Sequence, residues 1–300
     1  MGAREHLNDI TTKAIDSHVH VGDRFHRDGG LHRMWTVQEA GNLGLSVVGK
    51  AHFLPFVPES THIYGSVTLN GGLHPKLIER ASKEMSRPWI VWFPSINAKA
   101  HYNAVAHDDA WQKLFTGITL GKPIEVTDKF GKLTSQSIET IDAICQTGAI
   151  LATGHLSSDE VGVLVPRAIQ MGVRSVVLTH VSSRHNRVSV DEQNKLIALG
   201  EQAGVPVYAE HCAITWIDGK EGAYDVVRDF IKPIQAVGAQ HCILSSDSGR
   251  VVPSGSQKSA TPMECLTAFS KLLIDNDLSL SDIQQMIVTN PRRLLQSNDA

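Results

Sequence analysis

The residues best suited to chemistry in this sequence are histidines and an aspartate that close short runs of Val, Ile, Leu and Thr. Asp16, His18 and His20 alternate in IDSHVH. Successive side chains of a strand point to opposite faces, so His18 and His20 project to the same side and their imidazoles can share one cation. Further on, His155 closes ILATGH, His180 closes SVVLTH and Asp247 closes CILSSD. Each alone reads as an ordinary polar residue at a strand end, because a chain with 15 histidines places several there by chance. Jointly, a His-x-His pair followed by His, His and Asp at later strand ends is the pattern of a metal centre. Lys50 and His52 share a face of SVVGKAHF and reach the same centre if that face is the interior. A buried lysine is costly unless paired. Two readings of Lys50 therefore stand on the residues alone: a partner for a substrate carboxylate, or an ammonium that snorkels to the rim.

The elements that must position these groups alternate between apolar runs and segments of helical period. Strands are expected near 14–21, 46–53, 62–69, 89–96, 149–156, 175–182, 206–213 and 241–247. Helices are expected near 74–86, 134–147, 158–171, 190–203, 221–237 and 262–275, with Gly148, Gly172, Gly204 and Gly238 closing four of them. Strands alternating with helices build a parallel sheet. Eight of them in about 250 residues fit an α/β fold of the closed (β/α)8 TIM-barrel type, a single domain over 14–300 preceded by an N-terminal tail, 1–13. An open doubly wound sheet would need a glycine-rich phosphate loop after its first strand, where this sequence has His-Val-His. Two stretches depart from the regular unit. Leu54 to Thr61 is too short for a crossover helix and is expected as a turn. Lys99 to Leu133 is a long excursion with a hairpin around Asp128 to Gly131, placed where barrels carry lids.

In a barrel the strand C-termini and the loops after them form the active face. Arg24, His26, Arg184, His185, Arg187 and Arg250 all follow such ends, and arginines converging on one mouth suit an anionic, most simply carboxylate-bearing, small molecule. Glu210 and His211 are adjacent on the seventh strand, so only one faces inward; His211 is the one expected to support the site from behind. The 28 Lys and Arg against 31 Asp and Glu leave a net charge of −3, which gives no electrostatic case for nucleic acid or an anionic membrane surface. No stretch approaches the roughly 18 apolar residues of a membrane span, and the polar first residues lack the apolar core of a secretion signal. A cytoplasmic location is expected, and assembly as a homo-oligomer is compatible with all of this. Cys145, Cys212, Cys242 and Cys265 form no CxxC pair and are expected as buried apolar fillers.

Through DSHVH, TGHLS, LTHVS, SSDSG and the tail TNPRRLL, the sequence resembles the amidohydrolase superfamily of metal-dependent barrel hydrolases, and within it a branch with GKAHF on the second strand and VWFPS on the fourth. The resemblance runs from Ile15 to Leu295. It implies that His18, His20, His155 and Asp247 hold a divalent metal, zinc or manganese, and that His180 either binds a second ion or polarises the scissile carbonyl. Asp247 and His180 are then the catalytic pair. Members with two ions commonly carry a bridging carboxylated lysine on the fourth strand; WIVWFPSINA offers none, with Lys99 just beyond it, so the resemblance adds a bridging carbamate as a third reading of Lys50 and leaves one ion or two open. The implied activity is hydrolysis of an amide, cyclic amide or ester bond by metal-activated water. Its alternatives are nonoxidative decarboxylation on the same fold and a non-catalytic barrel that binds a metal or ligand.

Overall fold

The computed structural model describes residues 3–22, 24–27, 30–34, 45–105, 121–183, 187–213, 224–251 and 261–296. The apolar runs form barrel strands because both of their faces are covered, one by the interior and one by helices. They are β1 (Ile15–His20), β2 (Ser46–Lys50), β3 (in two pieces, Ile63–Tyr64 and Ser66–Thr68) and β4 (Ile90–Trp92). The second half supplies β5 (Ile150–Ala152), β6 (Val176–Leu178), β7 (Val207–Cys212) and β8 (Cys242–Ser245). Each pairs in parallel with the next in chain order. The first piece of β3 pairs with β2 and the second with β4, the change of partner falling at Gly65. A parallel bridge between Val19 and Ser248 joins the last strand to the first, with the His20 amide donating to Ser248 O at 2.7 Å and the Asp247 amide to His18 O at 2.9 Å. The eight strand positions thus close as the expected (β/α)8 ring.

Inside the ring lies a small apolar plug that includes Ile15, Val48, Trp92, Ala152, Val177, Tyr208 and Ile243, sealed by Leu294 and Leu295. The larger core fills the space between strands and helices. These two layers reveal a device in β1 that simple alternation does not supply. Ile15 belongs to the plug, so strict alternation would send His18 and His20 outward; a register shift between Asp16 and Val19 inserts one extra residue and turns both histidines inward.

The crossover helices fall close to expectation: Pro75–Ser82, Ser135–Thr147, Ser158–Gln170, Val190–Ala203, Lys232–Val237 (preceded by the π-helical turn Val227–Ile231) and Pro262–Ile274. Side-chain caps start four of them, from Thr134, Ser157, Ser189 and Thr261, each cap contributing about 1 kcal/mol. Leu54 to Thr61 folds back on β3 through antiparallel bridges Val57–Ser66 and Ser60–Ile63, in place of a helix. The excursion after β4 begins with the helix Lys99–Val105 and ends in a hairpin closed by a Thr127–Leu133 bridge. Its residues 106–120 lie outside the described residues.

Two features depart from the sequence reading. Residues 1–13, read as a tail, carry the helix Ala3–Thr11, whose Leu7 and Ile10 are buried in the outer core. Three residues apart, they share one helical face, a spacing too short to stand out in a polar segment. After β1, strands Arg24–Arg27 and Gly30–Met34 form an antiparallel hairpin that Arg250–Val251 extends as a third strand. Among the described residues no helix is long and apolar enough to cross a membrane.

Candidate metal centre

His18 and His20, turned inward by the shift in β1, meet Asp247 across the seam that closes the barrel. The Nε2 atoms of His18 and His20 stand 3.1 and 3.0 Å from Asp247 Oδ1. Asp247 takes a left-handed backbone conformation (φ 51°), which costs a residue with a Cβ on the order of 1 kcal/mol and here aims the carboxylate into the mouth. His180, at φ 56°, does the same at the end of β6, bringing its Nε2 to 3.5 Å from Asp247 Oδ2. His18, His20 and Asp247 form one convergent group with ligand atoms within 4.8 Å of one another. His18, His180 and Cys212 form a second.

Buried imidazoles bind metal only when neutral. Burial pulls His20 and His180 down to about 4 against the opposing pull of Asp247. Burial alone would raise the Asp247 carboxyl, but the electrostatic pull of His18 and His180, with the contact to His20, holds it well below the usual range.

On β7 the interior residues are Tyr208, Glu210 and Cys212, so it is Glu210 that enters the site and His211 that points away. This corrects the expectation for His211. Its Nδ1 meets Ser182 Oγ at 2.8 Å and its ring packs against Phe230 in the outer core. Both faces of β7 are buried, so no contrast between polar and apolar positions in VYAEHC discloses which set points inward. Glu210 places both carboxylate oxygens 3.3 Å from His18 Nδ1 and accepts from Ser245 Oγ at 2.9 Å. Burial opposes its ionisation, yet the electrostatic pull of the His18 Nδ1–H and its hydrogen bond bring its pKa to about 2. An ionised carboxylate only accepts, so His18 carries its proton on Nδ1 and keeps a lone pair on Nε2.

Lys50 is fully buried, which removes the snorkelling reading. Its Nζ lies 3.0 Å from His18 Nε2 and 5.3 Å from the centroid of Trp92. The ammonium therefore points at the same lone pair that a metal would use.

His155 stands apart from the two convergent groups. Its ring contacts His180, with centroids 5.1 Å apart, and its Nδ1 lies 3.1 Å from Nδ1 of His101, a residue of the excursion helix that the strand pattern gave no reason to single out. Gly154 (φ 61°) makes this placement possible: a Cβ there would come within 2.2 Å of Phe93 O. The Thr179 amide donates to Thr153 Oγ1 and the Gly154 amide to Thr179 Oγ1, tying the ends of β5 and β6 and so the two histidines together. His52 lies beside His20, with ring centroids 4.4 Å apart. Lys99 is half-exposed and pairs with Glu125 at 2.6 Å, away from the site. Arg187 is a structural residue, donating to the buried Asp229 at 2.8 Å. Arg184 and His185 lie outside the described residues, as do the side chains of Arg24, His26 and Arg250. Cys212, Cys242 and Cys265 are buried thiols, and Cys145 is half-buried.

The donor set fits a divalent cation. Ligands about 2.0–2.2 Å from a tetrahedral ion stand roughly 3.3 Å apart, close to the spacing of the His18, His20 and Asp247 atoms. Asp247 Oδ1 is buried and has no partner in hydrogen-bond geometry although two imidazole nitrogens lie near it. Lone pairs that converge without bonding to one another are arranged for a shared positive charge.

The parallel barrel is a fold shared with solved structures that match nearly the whole chain. It is similar to the probable dipeptidase PvdM from Pseudomonas aeruginosa (12% identity, 97% of each chain covered, TM-score 0.56). It is also similar to a putative 2-pyrone-4,6-dicarboxylic acid hydrolase from Pseudomonas putida (12% identity, 94% of this chain and 97% of that one, TM-score 0.52). A third likeness is to an apo structure from Agrobacterium tumefaciens (11% identity, 96% and 97% covered, TM-score 0.55). No curated protein matches the sequence. Residues 13–203 match the model of a family described as a family of unknown function, DUF6282, and the chain belongs to that family.

Proposed function

We propose that this protein is a metal-dependent hydrolase that cleaves an amide, cyclic amide or ester bond of a small carboxylate-bearing molecule. The observation that carries the reading is the convergence of His18 Nε2, His20 Nε2 and Asp247 Oδ1, with Oδ1 buried and lacking a hydrogen bond. His18, His20 and Asp247 would hold a divalent ion, zinc or manganese, which would lower the pKa of water from 15.7 toward about 7 and so favour attack at neutral pH.

The chain's own groups do the rest. Glu210 holds His18 in the tautomer that presents Nε2. Asp247, kept ionised by its histidine neighbours, takes the proton of the attacking water at Oδ2 and returns it to the leaving nitrogen or oxygen. His180 Nε2, beside that same oxygen, donates to the oxyanion that develops on the scissile carbonyl. His155 extends the histidine set toward the excursion helix through His101. The names of two structures of the same fold, a probable dipeptidase and a putative 2-pyrone-4,6-dicarboxylic acid hydrolase, agree with a small, acidic substrate.

The test is turnover by protein loaded with zinc or manganese on N-acyl amino acids, dipeptides, cyclic imides and lactone acids, with and without a chelator. Chelator-sensitive cleavage with one water consumed per product is expected. Carbon dioxide release without hydrolysis would identify a decarboxylase, and metal-independent turnover would overturn the reading.

A further inference from the structure

We propose that His52, held by Asn70 and Ser95, is a fixed Nε2–H donor that binds an anionic oxygen of the substrate beside the metal centre; this rests on the metal-hydrolase reading. Asn70 lies in the turn Leu69–Gly71 after β3. Its Oδ1 accepts from the Ser95 amide at 2.8 Å, and since a backbone amide can only donate, this bond settles which end of the Asn70 side chain is oxygen. The NH2 end then faces Ser95 Oγ at 3.1 Å, His52 Nδ1 at 3.3 Å and His52 O at 3.4 Å. Ser95 Oγ also lies 3.2 Å from Asn70 Oδ1 and 3.4 Å from His52 Nδ1. The Asn97 side chain donates to Asn70 O at 2.9 Å and fixes the turn from behind.

An NH2 group can only donate, so Nδ1 of His52 is the accepting nitrogen. A neutral imidazole with a lone pair on Nδ1 carries its hydrogen on Nε2. His52 is therefore built as a hydrogen-bond donor and not as a further metal ligand. Asn70 and Ser95 are buried and both contact Nδ1, so the His52 ring turns its Nδ1 edge to the interior.

The wider site has a polarity that matches. Lys50 and His52, both donors, stand on the β2 side, whereas the carboxylates of Glu210 and Asp247 stand on the β7 and β8 side. A substrate carboxylate is repelled by the second flank and met by the first. That arrangement sets both the sign of the substrate's charge and the direction in which it lies across the centre.

The experiment uses zinc-loaded protein with 15N-labelled histidine and acetate as the probe. The 15N spectrum of wild type is expected to show His52 protonated on Nε2 only, with acetate shifting that resonance. Asn70→Asp still accepts the Ser95 amide but offers His52 a carboxylate, and so is expected to move the proton to Nδ1 and weaken acetate by about ten-fold or more at unchanged zinc content. His52→Phe should weaken acetate similarly, whereas His52→Gln, whose amide can donate in the same place, should retain most of the affinity. A proton on Nδ1 in wild type, or acetate affinity unchanged in both Asn70→Asp and His52→Phe, overturns the proposal. Failure of wild type to take up zinc would instead sink the metal-hydrolase reading, and the proton position on His52, read in the metal-free protein, would still decide this one.

Discussion

Nδ1 of His18 stands 3.3 Å from both carboxylate oxygens of Glu210, and this contact decides which nitrogen of His18 faces the centre. Carboxylate–imidazole pairs of this kind orient a metal ligand and raise its basicity. Glu210→Ala is expected to weaken zinc by about 10- to 100-fold while the fold persists, with Glu210→Gln intermediate because its amide oxygen can still accept from Nδ1. Competition with a chromophoric chelator measures this. Wild-type zinc affinity in Glu210→Ala would show that His18 is oriented by something else.

Removing any one of the converging groups should have a larger effect. His18→Ala, His20→Ala and Asp247→Asn are each expected to reduce metal content or turnover by orders of magnitude, since each removes a donor and leaves the others facing one another. Elemental analysis of untagged protein, paired with turnover, is the measurement. Full metal and full activity in any of the three would remove that residue from the centre.

Lys50 competes with a cation for the Nε2 lone pair of His18, 3.0 Å away. Lys50→Met is therefore expected to bind zinc at least as tightly as wild type, while KM for a carboxylate-bearing substrate rises, the signature of lost ground-state binding. Two ions per chain falling to one, with partial rescue of Lys50→Ala by a short carboxylic acid, would instead identify a carbamate bridge.

Asp229 gives a pH prediction remote from the site. Hydrogen bonds from Arg228, then from the Asp225 amide and Arg187, hold its carboxyl below the usual range. A folded-state pKa below the unfolded one adds stability that is present above the unfolded value, near 4, and is lost as pH falls through the folded value. Asp229→Asn is expected to lower stability by about 1–3 kcal/mol at pH 7, with the difference from wild type shrinking in acid. Urea unfolding at several pH values tests it; a pH-independent difference would mean that packing, not ionisation, is responsible. Arg187→Met should likewise affect stability and leave KM unaltered.

Much of the fold was legible because a β/α unit announces itself twice, by an apolar run buried on both faces and by a helix with a cap and a closing glycine. The crossover helices Ser135–Thr147, Ser158–Gln170 and Val190–Ala203 show this, each starting behind a serine or threonine cap. The helix Ala3–Thr11 was not legible: its few buried side chains gain their significance only from the core they meet.

For the candidate site the division is sharper. The sequence by itself determined the residue types and their attachment to strand ends: His18 and His20 on β1, His180 after β6 and Asp247 after β8. Only the tertiary structure decided which of them meet and how they face. The register shift in β1 sets the direction of both histidines, and the seam between β1 and β8 sets their distance from Asp247. The choice between Glu210 and His211 depends on the phase of a strand whose two faces are equally buried, and the link from His155 to His101 on a helix 54 residues earlier in the chain. Phase and long-range contact belong to the closed barrel as a whole. A local pattern of residues records neither, because alternation fixes faces relative to one another and only pairing with neighbouring strands fixes which face is the interior.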